Sequence, residues 1–232
     1  MTYNVLYFGM WGYGAAGLRA LLKSANINLV KVYTKWDEHT NDIYMNQVYH
    51  LAKDYRLEVV NTSSNVCKKS DFEKKVLSNR HIDFLVSCCF DRIFTDKILE
   101  IPRIIAINVH PSILPKYRGV KPLENAIING KKNTGVTIHE LVKELDAGDI
   151  ILQEGTLEIR PEDTYKELYN RQCKIIEEIL LKFFEKPVYY IQNKFQQDLN
   201  KISFAPRIKM NFRDEATVQE LIDSFNSLKN NE

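Results

Sequence analysis

The chain of 232 residues has no marked excess of either charge: 32 Lys and Arg stand against 30 Asp and Glu, a net of +2. A balance so near neutrality gives no electrostatic ground for expecting nucleic acid as a partner, which calls for a basic surface. It leaves room for a local basic pocket. Cysteine is scarce: Cys67, Cys88, Cys89 and Cys173 include one adjacent pair and no CxxC spacing. Neither a disulfide framework nor a structural zinc site is expected, and reduced, mostly buried thiols are. No apolar run reaches bilayer length. The opening MTYNVLYFGMWGYG lacks the basic segment of a secretory leader and breaks into glycines early. A cytoplasmic protein without a membrane partner is the expectation. Internal repeats and low-complexity linkers are also missing. What remains is an ordinary globular composition, 44% hydrophobic and 27% charged, long enough for one sizeable core and a short appendage.

The first half alternates β-rich runs with helical patterns. Strands are expected over residues 4–8, 29–34, 57–60, 84–89 and 104–110, and helices over 13–25 and 43–55. A further helix starts at Ser70 on the capping-box pattern Ser70-x-x-Glu73. Such alternation implies βαβ units and a mostly parallel sheet covered on both faces. Then a loop rich in Pro, Gly and basic residues spans 111–122, and a short helix spans 123–128. Strands over 134–141 and 149–159 flank the turn Asp146-Ala147-Gly148-Asp149. Pro161-Glu162-Asp163 opens a long helix to about residue 185, with the acidic first turn that a helix dipole favours. The tail suggests a hairpin (189–191 with 202–204), a basic stretch Arg207-Ile208-Lys209 and a last helix over 217–228. The fold class is therefore α/β: a Rossmann-like, mostly parallel sheet flanked by helices over 1–186. A short C-terminal extension, hairpin plus helix, occupies 187–232.

Gly12-Tyr13-Gly14-Ala15-Ala16-Gly17 matches GxGxxG after a strand, with Asp37 beyond the second strand. Glycines in that place permit a tight turn and let N–H groups approach a phosphate. This keeps an NAD-dependent oxidoreductase open. Another anion-binding turn, or plain turn glycines, fits equally, because Gly9-Met10-Trp11 lengthens the turn and Trp11 and Tyr13 are bulky where a pyrophosphate would approach.

Asn108-Val109-His110-Pro111-Ser112 is the sharpest chemical signal. Alternation puts Asn108 and His110 on one face at the C-terminal end of a strand, where open α/β sheets place ligands. A polar pair in a strand of Ile, Ala and Val breaks core patterning, and such breaks tend to mark function. Asp146, on its glycine turn, is placed to aim back at His110. An amide that stabilises an oxyanion, an imidazole that moves a proton and a carboxylate that orients the ring are the parts of acyl transfer to an amine. Singly, each residue also reads as a hydrogen-bonded strand end or a turn former. A zinc site from His110, His139 and Asp146 is a further alternative, without a ligand-spacing motif behind it.

Together these motifs resemble the folate-dependent formyltransferase family: Asn108-x-His110-Pro111-Ser112-x-Leu114-Pro115-x-Tyr117-Arg118-Gly119, then Thr134-Gly135-Val136-Thr137-Ile138-His139 and Asp146-x-Gly148-Asp149. The resemblance implies catalytic roles for Asn108, His110 and Asp146 and 10-formyltetrahydrofolate as the co-substrate. For that donor it points to Cys89, Phe90, Arg92, Ile93, Leu141, Leu145 and Asp149. Candidates for the acceptor are Trp11, Gly12, Tyr13, Gly14, Tyr117, Arg118, Lys121, Arg207 and Lys209, with Phe212 as a stacking surface. Among the branches, the chain is most similar to sugar N-formyltransferases acting on nucleotide-linked (dTDP-) amino sugars. The expected acceptor is dTDP-4-amino-4,6-dideoxyglucose, for surface polysaccharide (O-antigen) synthesis, and a homodimer is plausible for that branch. Phosphoribosylglycinamide and methionyl-tRNA formyltransferases are the other branches. A silent sugar-nucleotide-binding protein on the same fold is a third class. One departure stands out: Leu123-Glu124-Asn125-Ala126 replaces the Trp-Ala pair usual after the Tyr-Arg-Gly loop.

Overall fold

The computed structural model describes residues 2–40, 42, 44–210 and 212–229. Five runs form parallel strands: β1 (Tyr3–Gly9), β2 (Ile27–Thr34), β3 (Val59–Asn61), β4 (Phe84–Cys88) and β5 (Ile105–His110). After the two-residue β6 (Arg118–Gly119) come β7 (Asn133–Glu140) and β8 (Ile150–Glu158), and the tail carries β9 (Phe204–Ala205). The main sheet has seven strands in the order β3-β2-β1-β4-β5-β7-β8. β7 runs antiparallel to β5, and β8 to β7. The sheet is thus mostly parallel, as the strand–helix alternation implies.

Alternate residues of the central strands serve two cores. Val5 and Tyr7 of β1 pack with α1 (Trp11–Lys23) and α6 (Tyr165–Glu185). Leu6 and Phe8 pack on the other face with α3 (Lys69–Leu77) and α4 (Asp96–Leu99). Burial on both faces explains why β1 and β4 read as continuous apolar runs instead of alternating ones. α6 buries Leu168, Gln172, Cys173, Ile176, Ile179, Leu180, Phe183 and Phe184, one helical stripe. Each fully buried Leu, Ile or Phe there contributes about 1.5–3 kcal/mol. α2 (Gln47–Asp54) covers β2 and β3, and α5 (Pro122–Ile128) packs with α8 (Val218–Lys229). Among the described residues, no helix is long and apolar enough to cross a membrane.

Three local expectations are corrected. The 189–191/202–204 hairpin does not form. Residues Pro187–Gln192 make a helix, α7, and β9 pairs in parallel with β6. The Ser70–Glu73 capping box is absent: Lys68 is the N-cap with no side-chain bond, and Glu73 accepts from Thr95 Oγ1 instead. The long helix starts at Tyr165, because Thr164 and Glu167 form a reciprocal capping box. The expected start of the second helix at residue 43 lies outside the described residues.

Candidate active site

The GxGxxG glycines lie inside α1, not in a turn before it. A Cβ on Gly14 would stand 2.8 Å from the Gly9 carbonyl carbon, and one on Gly17 would stand 2.5 Å from the Tyr7 hydroxyl. These glycines let α1 lie close on β1 and α6. The polar groups of Gly14 are also spent: its carbonyl accepts from Tyr7 Oη, and its N–H donates to Met10 O. Gly14 therefore has nothing left to offer a phosphate, and Gly12 lies within the first turn of α1. Tyr13 is likewise core, 8% exposed, stacked on Tyr169 at 4.2 Å with its hydroxyl bonded to Gln172. Asp37 is an exposed loop residue whose carboxylate accepts from the His39 N–H. The dinucleotide reading loses both supports. Trp11, half-buried at the start of α1, is the member of this group left facing outward.

The chemistry gathers where β5 meets β7. Ala106, Asn108 and His110 share one side of β5, while Ile107 and Val109 enter the α1–α6 core. Register pairs Asn108 with His139 and His110 with Thr137, so His139 projects on the same side as Asn108 and His110. The segment 141–149 folds back over them. Its return is so tight that a Cβ on Gly148 would lie 2.0 Å from the Glu140 carbonyl oxygen. Asp146, at φ +51, sits at its apex.

Asp146 is 8% exposed and His110 4%. Asp146 Oδ2 accepts the Gly119 N–H at 2.8 Å and lies 3.6 Å from His110 Nδ1. Its Oδ1 accepts from Asn108 Nδ2 at 3.4 Å and is 3.5 Å from His139 Nε2. Burial opposes the charged carboxylate, but His110, His139 and the Gly119 N–H outweigh it and hold the Asp146 carboxyl well below its ordinary value. His110 is shifted too. Burial lowers its pKa, and the Asp146 charge offsets that only in part, so the resting ring is neutral near pH 7. Nε2–H donates to the Tyr117 carbonyl at 2.8 Å, which leaves a bare Nδ1 turned toward Asp146. The His139 ring donates from Nδ1 to the Glu140 carbonyl at 2.8 Å, and its bare Nε2 accepts from Asn108 Nδ2 at 3.1 Å. Sequence reasoning considered His139 only as a zinc ligand; its contact with Asn108 depends on the β5–β7 register, which no local pattern discloses. Among the described residues no group of His, Cys, Asp and Glu is arranged to hold a metal.

Among the described residues, seven non-glycine residues have positive φ, and two of them belong to this centre: Asp146, and Tyr117, whose carbonyl accepts from His110. Strained backbone of this kind concentrates at functional sites.

The remaining candidates divide. Cys89 follows β4 directly, and burial pushes its thiol up. Phe90 is committed to an aromatic cluster with Phe8, Phe72 and Phe94. Arg92 is spent on the Thr62 and Cys67 carbonyls and lies over the Phe72 ring. Neither side chain is placed to grip a ligand. Ile93, on the loop after β4, and Leu145, next to Asp146 in the chain, by contrast expose 81% and 65% of their surface. Leu141 is half-buried and its N–H donates to Ala106 O; Asp149 is 3.4 Å from Lys194. Arg118 is not a surface cation: it is 6% exposed and bonded to Gln197. Tyr117 is half-buried with its N–H on Ser203 Oγ. Lys121, Arg207 and Lys209 are exposed. Phe212 packs against Tyr165 at 5.5 Å. In α5, Glu124 accepts from the Tyr165 hydroxyl at 3.0 Å, and burial raises its carboxyl pKa. Asn125 is fully buried and donates to the Val120, Lys121 and Pro206 carbonyls, bonds that a Trp could not make.

The family model described as formyl transferase matches residues 14–183. The methionyl-tRNA formyltransferase of Thermotoga maritima is 32% identical over 209 residues, 89% of this chain and 65% of the relative. That of Ureaplasma urealyticum is 33% identical over 215 residues, covering 91% and 68%. The chain thus spans about two thirds of the length of these relatives. In fold it is similar to an N-formyltransferase from Helicobacter canadensis solved with folinic acid and dTDP-3-aminofucose. There the TM-score is 0.68 at 22% identity, over 95% of this chain and 79% of that one. With Asn108, His110 and Asp146 converging inside the matched region, the chain belongs to the formyl transferase family.

Proposed function

We propose that this chain transfers a formyl group from 10-formyltetrahydrofolate to a primary amine. The observation that carries the reading is the convergence of Asn108, His110, His139 and Asp146 at one buried point of a formyl transferase domain. The exposed apolar side chains of Ile93, on the loop after β4, and Leu145, next to Asp146, fit a folate ring. The folate supplies a formyl carbon attached to a nitrogen leaving group. The bare Nδ1 of His110 is the atom that takes the proton shed as the amine nitrogen bonds to that carbon, and the same proton goes on to the departing nitrogen. Asp146, charged across the neutral pH range, stabilises the imidazolium formed in between. Asn108 turns its amide hydrogens from His139 and Asp146 toward the developing oxyanion. Holding two reactants in register supplies up to about 7–11 kcal/mol of the barrier.

For the acceptor we favour a nucleotide-linked amino sugar, with dTDP-4-amino-4,6-dideoxyglucose as first choice. The near-neutral charge and the dTDP-sugar complex of the Helicobacter canadensis protein support this choice. Methionyl-tRNA is the second reading, favoured by identities above 30% to enzymes of that name. The test is folate-dependent gain of one formyl mass on a panel of nucleotide-linked amino sugars, phosphoribosylglycinamide and charged initiator tRNA. Turnover on a sugar is expected, with His110→Ala and Asn108→Ala each at least about a hundredfold slower. Near-normal rates in both variants would remove the mechanism, and turnover on the tRNA alone would replace the acceptor.

A further inference from the structure

Gln197 lies in the tail, past residues 14–183 that the family model matches, and is 7% exposed. Its side chain uses its full bonding capacity. Nε2 donates to the carbonyl oxygens of Asp146 and Gly148, both at 2.8 Å. Oε1 accepts from Arg118 Nε at 3.0 Å and Nη2 at 2.7 Å. Each end therefore serves one side of the catalytic carboxylate. Asp146 has a left-handed backbone that a side-chain-bearing residue does not adopt by local preference, and Gln197 pins its carbonyl. Arg118 precedes Gly119, whose N–H binds the Asp146 carboxylate. The same tail segment reaches His110: Ser203 Oγ accepts the Tyr117 N–H at 3.0 Å, and the Tyr117 carbonyl receives the His110 Nε2–H.

We propose that Gln197 is a positioning residue for the transfer centre, fixing the turn that presents Asp146 and, through Arg118, the strand end that holds its carboxylate. The tail is then part of the active site, not an appendage to it. The kinetic arm of the test rests on the formyl-transfer reading; the structural arm does not.

The titratable groups that interact electrostatically with Asp146 are His110 from β5, His139 from β7, Arg118 from β6 and the Cys89 thiol after β4. Gln197→Met removes all four bonds at nearly constant volume, and Gln197→Asn keeps the amide one methylene short. In the full chain, NMR titration of the His110 and His139 rings reads the position of Asp146 without any substrate. With the carboxylate displaced, the His110 midpoint falls by at least half a pH unit in Gln197→Met and by less in Gln197→Asn. A purely structural role would lower melting temperature and leave these midpoints in place. In turnover, kcat falls at least tenfold while the donor KM changes less than threefold. His110 and His139 curves superimposable on wild type in a folded variant overturn the proposal, as does an unchanged kcat. Should Gln197→Met not fold, Gln197→Asn decides. Failure of the functional reading shows separately, as absence of formyl transfer in the wild type, and the titration then decides alone.

Discussion

At the scale of single residues, the centre pairs a depressed carboxyl with a depressed imidazole, and both make the fold acid-sensitive. The unfolded His110 takes a proton near its ordinary 6.5 while the buried ring resists it. Stability is therefore lost as pH falls from that value to the lower folded one. Asp146, held far below its ordinary 3.8, contributes stability above that value that is lost beneath it. In thermal melts, the gap between wild type and His110→Gln should shift as pH falls below about 6.5, where only the wild type carries this titration. The gap to Asp146→Asn should change below about pH 4. Curves parallel to wild type across both ranges would contradict the shifts. Asn108 and His110 were legible in the sequence because two polar side chains stand where a strand would otherwise continue Ile and Val. His139 and Gln197 were not. The first acquires its role from strand register, and the second is one amide in the polar run Gln196-Gln197-Asp198, with no local feature to separate it from solvent-facing neighbours.

At the scale of elements, what was legible followed from periodicity. β1 and β4 are buried on both faces, so their apolar runs were continuous and their positions fell within a residue or two. Elements with their partner far away in sequence were missed. β6 and β9 are two residues each and exist only by pairing with one another, while the β-rich Tyr189–Ile191 became helical α7 after Pro187. The glycines of α1 were seen but misread, since packing glycines and phosphate-turn glycines look alike in one dimension. They give a test. On helix propensity alone, Gly14→Ala should stabilise by about 1 kcal/mol. A Cβ 2.8 Å from the Gly9 carbonyl carbon and 3.1 Å from Val48 Cγ2 argues for an overpacking cost of about 1–3 kcal/mol. We expect a lower melting temperature; a higher one would mean that α1 has room above β1.

At the scale of the molecule, the family domain and the tail share one interior. Ile208, Ala216, Val218 and Leu221 are buried, and the last three pack in one cluster with Leu123, Ile127 and Leu168. Arg118 keeps its buried guanidinium bonded to a tail glutamine. Cutting the chain after Lys186 strips apolar cover from α5 and leaves that cation without Gln197, a penalty on the order of several kcal/mol. Circular dichroism melts of the shortened chain should show a broad, weakened transition; a sharp one at the wild-type temperature would mark the tail as dispensable. The left-handed backbone at Tyr117 and Asp146 has its own consequence for encounter. A rim whose joints are already set surrenders little freedom when guests arrive, so donor and acceptor meet a cast mould and capture is governed by their own diffusion and fit.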